Sequence, residues 1–302
     1  MNKHVARLAA VSAVLLIMTV KTCIVLADYQ VRISKTDLSV NHSLPEDVWN
    51  LLLIGTDTWE DMKDTGRSDT MIVLSYSFST GEIQLVSLAR DLLVEIPAVG
   101  QNRLNAAHSF GGPNLLMKTV NETFGLNITN YISVNIYGLR RIIDAMGGLA
   151  MHVTEREAER VHRMISIEFP MEQNDPCPSG DCVLSGLQAM TFARIRDLDN
   201  DFGRMLRQQT VLRAMAKQLM QLDETDRSRL VEMCLSQVST NLTPADIVKL
   251  AGEAYSHQEL KLSLYTLPER GTYVFENLNG MSVLLAETKS LQKDMGRILY
   301  RQ

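Results

Sequence analysis

Three short apolar runs early in the chain, residues 48–54, 70–76 and 83–88, constrain the fold most. The first ends at Gly55, and each has the length and flanking turn residues of a buried strand. Ser79-Thr80-Gly81 separates the second from the third, which predicts a β-hairpin. Beyond them strands and helices interleave. Residues 94–97 read as extended, 114–124 as a helix, 131–136 as a strand, and the next helix ends near Met146, before Gly147-Gly148. Residues 151–154 read as a short strand, 185–192 as a helix, 193–196 as extended and 204–222 as a long helix. Helices near 227–238 and 244–255, a strand at 262–267 and a terminal helix at 281–300 complete the pattern. Such mixing predicts an α/β fold: a layered α/β/α domain with a mixed central sheet.

A second feature places that domain. Lys3, His4 and Arg7 precede an apolar run over residues 8–27, close to the ~20 residues that span a bilayer. Lys21 interrupts the run and would snorkel toward the interface. Basic residues ahead of a span keep the N-terminus in the cytoplasm and send the rest outside. Residues 1–27 are therefore expected to form a cytoplasmic tail and one transmembrane helix. A polar linker follows at 28–47, and a single extracellular domain at 48–302. The competing reading is a signal peptide cleaved after Val25-Leu26-Ala27. The apolar run exceeds the roughly 7–15 residues of a signal core, which favours a retained, single-pass anchor in the cell membrane. Either reading exports the domain.

A formal net charge of −5 over 302 residues argues against general nucleic-acid binding, which needs a basic footprint. Cys177 and Cys182 flank the turn-rich Pro178-Ser179-Gly180-Asp181 and, outside the cytoplasm, are able to close a small disulfide loop. A metal clip there lacks further ligands. Cys234 falls in an apolar helical pattern, as a buried thiol does.

Against that acidic background one segment is locally basic: Phe192 to Gln209 carries Arg194, Arg196, Arg204 and Arg207. Arg194 and Arg196 share a side if extended, and Arg204, Arg207 and Gln208 fall on one helical face. Planar guanidinium forks suit phosphate oxygens. A solvated basic face is the plainer alternative. Two acidic groups stand at predicted strand ends, Asp57 after the first strand and Asp69 just before the second. Loops at strand ends are where α/β sheets bind ligands, and two carboxylates can share a magnesium ion with substrate phosphates. Capping of the turns is the alternative role for both aspartates. Arg90-Asp91 follows the third strand, and Arg103 opens Arg103-Leu104-Asn105-Ala106-Ala107. The six histidines show no metal-ligand spacing. Arginines at one site and aspartates at another fit phosphoryl chemistry, where charge neutralisation dominates.

These residues resemble the LytR-CpsA-Psr family of bacterial cell-wall ligases. The matching pieces are Leu53-Ile54-Gly55-Thr56-Asp57, Gly66-Arg67-Ser68-Asp69-Thr70-Met71 and Val86-Ser87-Leu88-Ala89-Arg90-Asp91. Arg103-Leu104-Asn105-Ala106-Ala107 with Gly111-Gly112, and Ile143-Asp144-Ala145-Met146-Gly147-Gly148, continue the match. It closes with Leu184-Ser185-Gly186-Leu187-Gln188-Ala189 and with Arg194-Ile195-Arg196 through Asp201, Gly203, Arg204, Arg207 and Gln208. Two departures stand out: Ala89 replaces the usual proline, and Thr58 stands where many members carry arginine. Arg103 takes the place of a frequent lysine.

The resemblance implies a phosphotransferase that moves an anionic glycopolymer, of teichoic acid or capsular polysaccharide type, from a polyprenyl pyrophosphate carrier to peptidoglycan. It implies that Asp57 and Asp69 hold Mg²⁺ and that Arg90, Arg103, Arg194, Arg196, Arg204 and Gln208 bind the pyrophosphate. Arg90, Asp69 and Asp91 are the expected catalytic groups, with either aspartate able to take the hydroxyl proton. A polyprenyl-phosphate binding protein, or a pyrophosphate hydrolase without transfer activity, is the alternative. Membrane, lipid-linked polymer and peptidoglycan are the expected partners.

Overall fold

A computed structural model describes residues 38–58, 66–172, 175–199, 201–222, 224–243, 245–247, 261–278 and 280–301. The central sheet has six strands. They are β1 (Val48–Thr56), β2 (Ser68–Ser77), β3 (Glu82–Leu88), β6 (Asn130–Asn135), β9 (Val238–Thr240) and β10 (Lys261–Leu267), in the order β10-β3-β2-β1-β6-β9. β1, β2 and β3 run antiparallel, whereas β6 joins β1 and β10 joins β3 in parallel, so the sheet is mixed as expected. The predicted hairpin is β2–β3.

Alternation along the strands divides the two faces. Leu52, Ile54, Met71, Val73, Val86 and Leu88 pack with α1 (Ala106–Phe124) and α7 (Thr288–Tyr300), through Leu116, Met117, Val120, Phe124, Leu291 and Met295. Ser87, between Val86 and Leu88, points the other way and accepts a 2.9 Å hydrogen bond from Gln209 Nε2 of α5 (Asp201–Gln221). Helices therefore cover both faces. Each fully buried Leu, Ile or Phe in this core contributes roughly 1.5–3 kcal/mol.

A second apolar core lies beside the sheet. It gathers α2 (Ile136–Ala145), the pair β7 (Leu149–Val153) and β8 (Gly180–Leu184), α3 (Glu155–Glu168), α4 (Gly186–Phe192) and Val211 of α5. α3 and α4 start at capping boxes, Thr154 with Glu157 and Ser185 with Gln188. Each satisfies orphan amides and typically stabilises its helix by about 1 kcal/mol. The remaining elements are the hairpin β4 (Leu93–Ile96) with β5 (Gly100–Arg103), the hairpin β11 (Tyr273–Leu278) with β12 (Met281–Ala286), and α6 (Glu224–Ser236).

Several expectations are corrected. α1 starts at Ala106 rather than near Asn114, because the helix continues across a kink at Gly111 and Gly112. Gly112 sits at φ 62, ψ −159, open to glycine alone, and Pro113 follows. Residues 281–286, read as the start of the terminal helix, form strand β12 against β11. Residues 193–196 are a turn, not an extended segment. Arg194 N–H donates to Thr191 O and Ile195 N–H to Phe192 O, a tight continuation of α4. The end of the predicted linker, residues 38–47, is docked on the domain. Leu38 is buried in the main core, and Asn121 Nδ2 donates to its carbonyl.

Among the described residues no helix is long and apolar enough to cross a membrane. The anchor expected over residues 1–27 lies outside the described residues, as does most of the helix expected at 244–255. Cys177 and Cys182 are free thiols that approach the same Pro178 carbonyl, at 3.7 and 3.6 Å. Burial, with Cys182 alongside, pushes Cys177 up to about 11. Cys234 is half-buried rather than enclosed.

Candidate functional site

The β2–β3 register builds the first half of the site. Ile72 pairs with Ser87 at the end of the β2–β3 ladder, and beyond it the side chains of Asp69 and Arg90 meet. Arg90 Nη1 lies 2.6 Å from Asp69 Oδ1. The neighbouring antiparallel pair sets the C-terminal end of β1 beside the N-terminal end of β2, with a register shift between Gly55 and Thr56. Gly66 permits a close approach here. A Cβ on it would meet Thr58 Cγ2 at 2.4 Å and Asp57 Oδ1 at 2.8 Å. The exposed Asp57 carboxylate thus sits against the turn that leads into Asp69.

The second half comes from α5 and the turn before it. Arg196 Nη2 reaches Asp69 Oδ2 at 2.6 Å, and Arg204 Nη1 stands 3.7 Å from the same oxygen. Asp201, in the first turn of α5, bridges Arg204 Nη2 at 3.0 Å and Arg90 Nε at 3.3 Å. Asp91 extends the chain of charges, with Arg90 Nε at 3.6 Å and Arg103 Nη1 at 3.3 Å. Four arginines and three aspartates from distant segments thus form one alternating network.

The network leaves hydrogen-bonding capacity unused. The Nε atoms of Arg90, Arg103 and Arg204, with Asp91 Oδ1 and Asp201 Oδ1, are buried without a hydrogen bond of good geometry. Unmet donors gathered in one place are available to a further acceptor, each otherwise costing about 1–3 kcal/mol.

Electrostatics separates the members. Burial works to raise the Asp69 carboxyl, but Arg90, Arg204 and Arg196 outweigh it and hold the group below the usual carboxylate range. Arg90 is buried too, yet Asp201 and Asp69 raise it above the ordinary guanidinium value. Arg204 is lowered, because burial and the like charges of Arg90 and Arg196 outweigh Asp201 and Asp69.

Two predicted residues stand apart. Arg194 Nη1 pairs with Glu168 Oε2 at 2.7 Å, at the end of α3, because the turn at 193–196 sends it away from Arg196. Gln208 makes no polar contact with the described residues. Its neighbour Gln209 is the one tied in, donating to Ser87 Oγ and to the Tyr265 carbonyl at 2.7 Å. Arg207 belongs to another cluster, donating to Glu157 at 3.0 Å, Asp199 at 2.5 Å and the Ile195 carbonyl at 3.3 Å. The single helical face expected for Arg204, Arg207 and Gln208 is therefore split among different partners.

Three residues were given no role from sequence. Asp201 was readable as an acid in the first turn of a helix, three residues before an arginine. Arg67 is exposed beside Asp69 with no partner among the described residues. Buried His108 meets the Gly66 carbonyl through Nδ1 at 2.7 Å, so that nitrogen carries the proton and pins the turn leading to Asp69. No local pattern marks the last contact, which joins residues 42 positions apart.

Among the described residues no three His, Cys, Asp or Glu side chains group closely enough to hold a metal ion by themselves. Magnesium commonly takes one or two carboxylates completed by water and phosphate oxygens, and the site offers carboxylates of that kind. Asp57 offers a carboxylate without a partner among the described residues, and Asp69 lies three residues beyond the Gly66 that Asp57 touches.

A mixed sheet covered by helices on both faces, with an arginine–aspartate site at one end of its central strands, defines the class: an α/β domain with a charged site at its strand ends. The chain belongs to the LytR_cpsA_psr family, whose model matches residues 16–297. It is 32% identical over 225 residues to the polyisoprenyl-teichoic acid–peptidoglycan teichoic acid transferase TagU of Enterococcus faecalis, a span of 73% of this chain and 69% of that protein. The solved structure of TagT bound to LIIa-WTA superposes with a TM-score of 0.72 at 20% identity, covering 89% of this chain and 99% of the other. TagT with bound octaprenyl pyrophosphate gives 0.68 at 20% identity over the same shares.

Proposed function

We propose that this protein is a phosphotransferase of the exterior membrane face, moving an anionic glycopolymer from a polyprenyl pyrophosphate carrier to a peptidoglycan sugar. The observation that carries this is the convergence of Arg90, Arg103, Arg196 and Arg204, with three orphaned Nε–H groups, at one end of the sheet. The similarity to the teichoic acid transferase TagU, and to TagT solved with bound octaprenyl pyrophosphate, supports the same reading.

In this scheme the acceptor hydroxyl oxygen forms a bond to the phosphorus next to the polymer. The bond from that phosphorus to the bridging oxygen breaks, and polyprenyl phosphate leaves. The diphosphate competes with Asp69 and Asp201 for the same guanidinium hydrogens. Charge developing on the phosphoryl oxygens is stabilised by those preorganised donors, the kind of contribution that loses 10²–10³ in rate when one donor is removed. Asp69, held below the usual carboxylate range, is a weak base. Asp91, beside Arg90 and Arg103, is the other carboxylate in reach to take the hydroxyl proton. Asp57 and Asp69 would hold a magnesium ion, which supplies further neutralisation of phosphate charge.

The test incubates the full chain in detergent with a lipid-linked anionic polymer and peptidoglycan, and follows polymer bound to glycan. Transfer by the wild type that drops 100-fold or more in Arg196→Ala, with unchanged melting, supports the proposal. Release of free polymer phosphate without attachment points to a hydrolase instead, and equal activity in Arg196→Ala sinks the site.

A further inference from the structure

The hairpin β11–β12 is fastened to the charged site at two points. Leu284 N–H donates to the Asp91 carbonyl at 2.9 Å, and a parallel bridge joins Leu284 to Leu92. On the other side Tyr273 stacks on Phe202, with ring centres 5.0 Å apart and planes 15° from parallel. Phe202 directly follows Asp201 in the first turn of α5. Tyr273 then meets Phe275 edge-on at 5.5 Å. Tyr273 and Phe275 are two apart on a strand, so they share one face of the hairpin. Three aromatic rings thus run from the arginine network to the surface, where Phe275 remains 65% exposed.

An exposed aromatic at the end of a buried aromatic series calls for an occupant. Core packing does not explain it, because Phe275 leaves most of its area in water while Phe202 is buried. Val274 and Glu276 lie on the opposite face of the strand, and on Phe275's own face the exposed neighbours toward the hairpin tip are Asn277 and its cross-strand partner Ser282. A prenyl chain would find amide and hydroxyl neighbours there, which apolar carbon does not favour. A pyranose fits such a surface. Its axial C–H bonds present a weakly positive apolar face to the negative face of an aromatic ring, while its hydroxyls stay free for carboxylates and amides.

We infer that Phe275, backed by Tyr273 and Phe202, forms a stacking platform for a sugar ring of the glycan attached to the diphosphate. This rests on the phosphate-site reading above and names the part of the substrate that lies beyond the phosphates. The platform binds and orients. It takes no part in the bond changes.

The test measures binding of two probes to the full chain. One is a short polyprenyl diphosphate without sugar, and the other is the same diphosphate carrying an N-acetylhexosamine disaccharide. Phe275→Ala and Phe275→Leu are each expected to weaken the sugar-bearing probe about 3–10-fold, the scale of one aromatic contact, and to leave the sugar-free probe unchanged. Phe275→Trp is expected to restore binding. Equal weakening of both probes assigns the ring to the prenyl chain and overturns the inference, as does unchanged binding of both. A wild-type chain that ignores the sugar-free probe defeats the phosphate site itself, a separate result read without any Phe275 variant.

Discussion

Arg204 and Arg207 lie one turn apart on α5, both almost wholly buried, yet their surroundings differ in kind. Arg207 is fully engaged. Nε meets Glu157, Nη1 meets Asp199 and the Ile195 carbonyl, and Nη2 meets Asp199 again. Asp199 and Glu157 outweigh burial and raise its pKa above the ordinary value. Arg204 shares its two aspartates with Arg90 and Arg196, keeps an orphaned Nε, and has its pKa lowered. The first arrangement has nothing left to offer a ligand and ties α3, the 195–199 turn and α5 together. The second keeps an unmet donor, which the proposed diphosphate would meet. In the proposed function, satisfaction of hydrogen bonds, rather than burial or residue type, separates the structural Arg207 from the binding Arg204.

The largest expected effect lies on the structural side. Arg207→Ala removes an almost wholly buried guanidinium and its hydrogen bonds to the partly buried Glu157, the exposed Asp199 and the Ile195 carbonyl, and about 3 kcal/mol of unfolding free energy should be lost, read by urea titration. Arg204→Ala breaks the comparison if it costs as much stability. Its expected signature is instead a 10²–10³-fold loss of transfer, about 2.7–4 kcal/mol in the transition state, with a smaller change in Tm.

Gly203 sharpens the contrast between those neighbours. A Cβ there would lie 2.1 Å from Asp199 Cγ, so Gly203→Ala should displace the carboxylate from Arg207. A loss of roughly 1–3 kcal/mol in stability is expected by the same titration.

The smallest effect is acid sensitivity. Asp69 and Glu157 both have folded pKa values below their unfolded ones. Their stabilisation is therefore fully present above the unfolded values, about 3.9 and 4.3, and fades as pH falls through the lower folded values. The Tm difference between wild type and Asp69→Asn should stay constant from about pH 6 to 8 and shrink below about pH 4.

Much of the fold was legible because its signals are local. The runs at 48–54, 70–76 and 83–88 became β1, β2 and β3 with one or two residues added at their ends. Elements fell out of view where the local signal was weak or mixed. α3 has a polar, Arg- and Glu-rich surface, although Thr154-Glu155-Arg156-Glu157 carries a capping-box pattern. β12 was taken as helix because Met281–Ala286 runs directly into the helix that begins at Thr288. The site shows the same division. Asp69, Arg90, Asp91, Arg103, Arg196 and Arg204 were all nameable from their motifs, and the structure brings them together. Arg194 and Gln208 were grouped with them on assumed strand and helix faces, and the actual turn and helix phase send those side chains elsewhere.

The sequence by itself determined the strand-rich beginning, the family motifs and which arginines and aspartates carry charge, because these depend on composition and short-range periodicity. Only the tertiary structure decided which charges meet. Partners such as Asp69 and Arg196 stand 127 positions apart, and the docking of the segment ahead of α5 against the start of β2 brings them together. The same geometry left Arg204 short of hydrogen-bond partners and Arg207 with a full set, a difference that identical side chains one helical turn apart cannot encode locally.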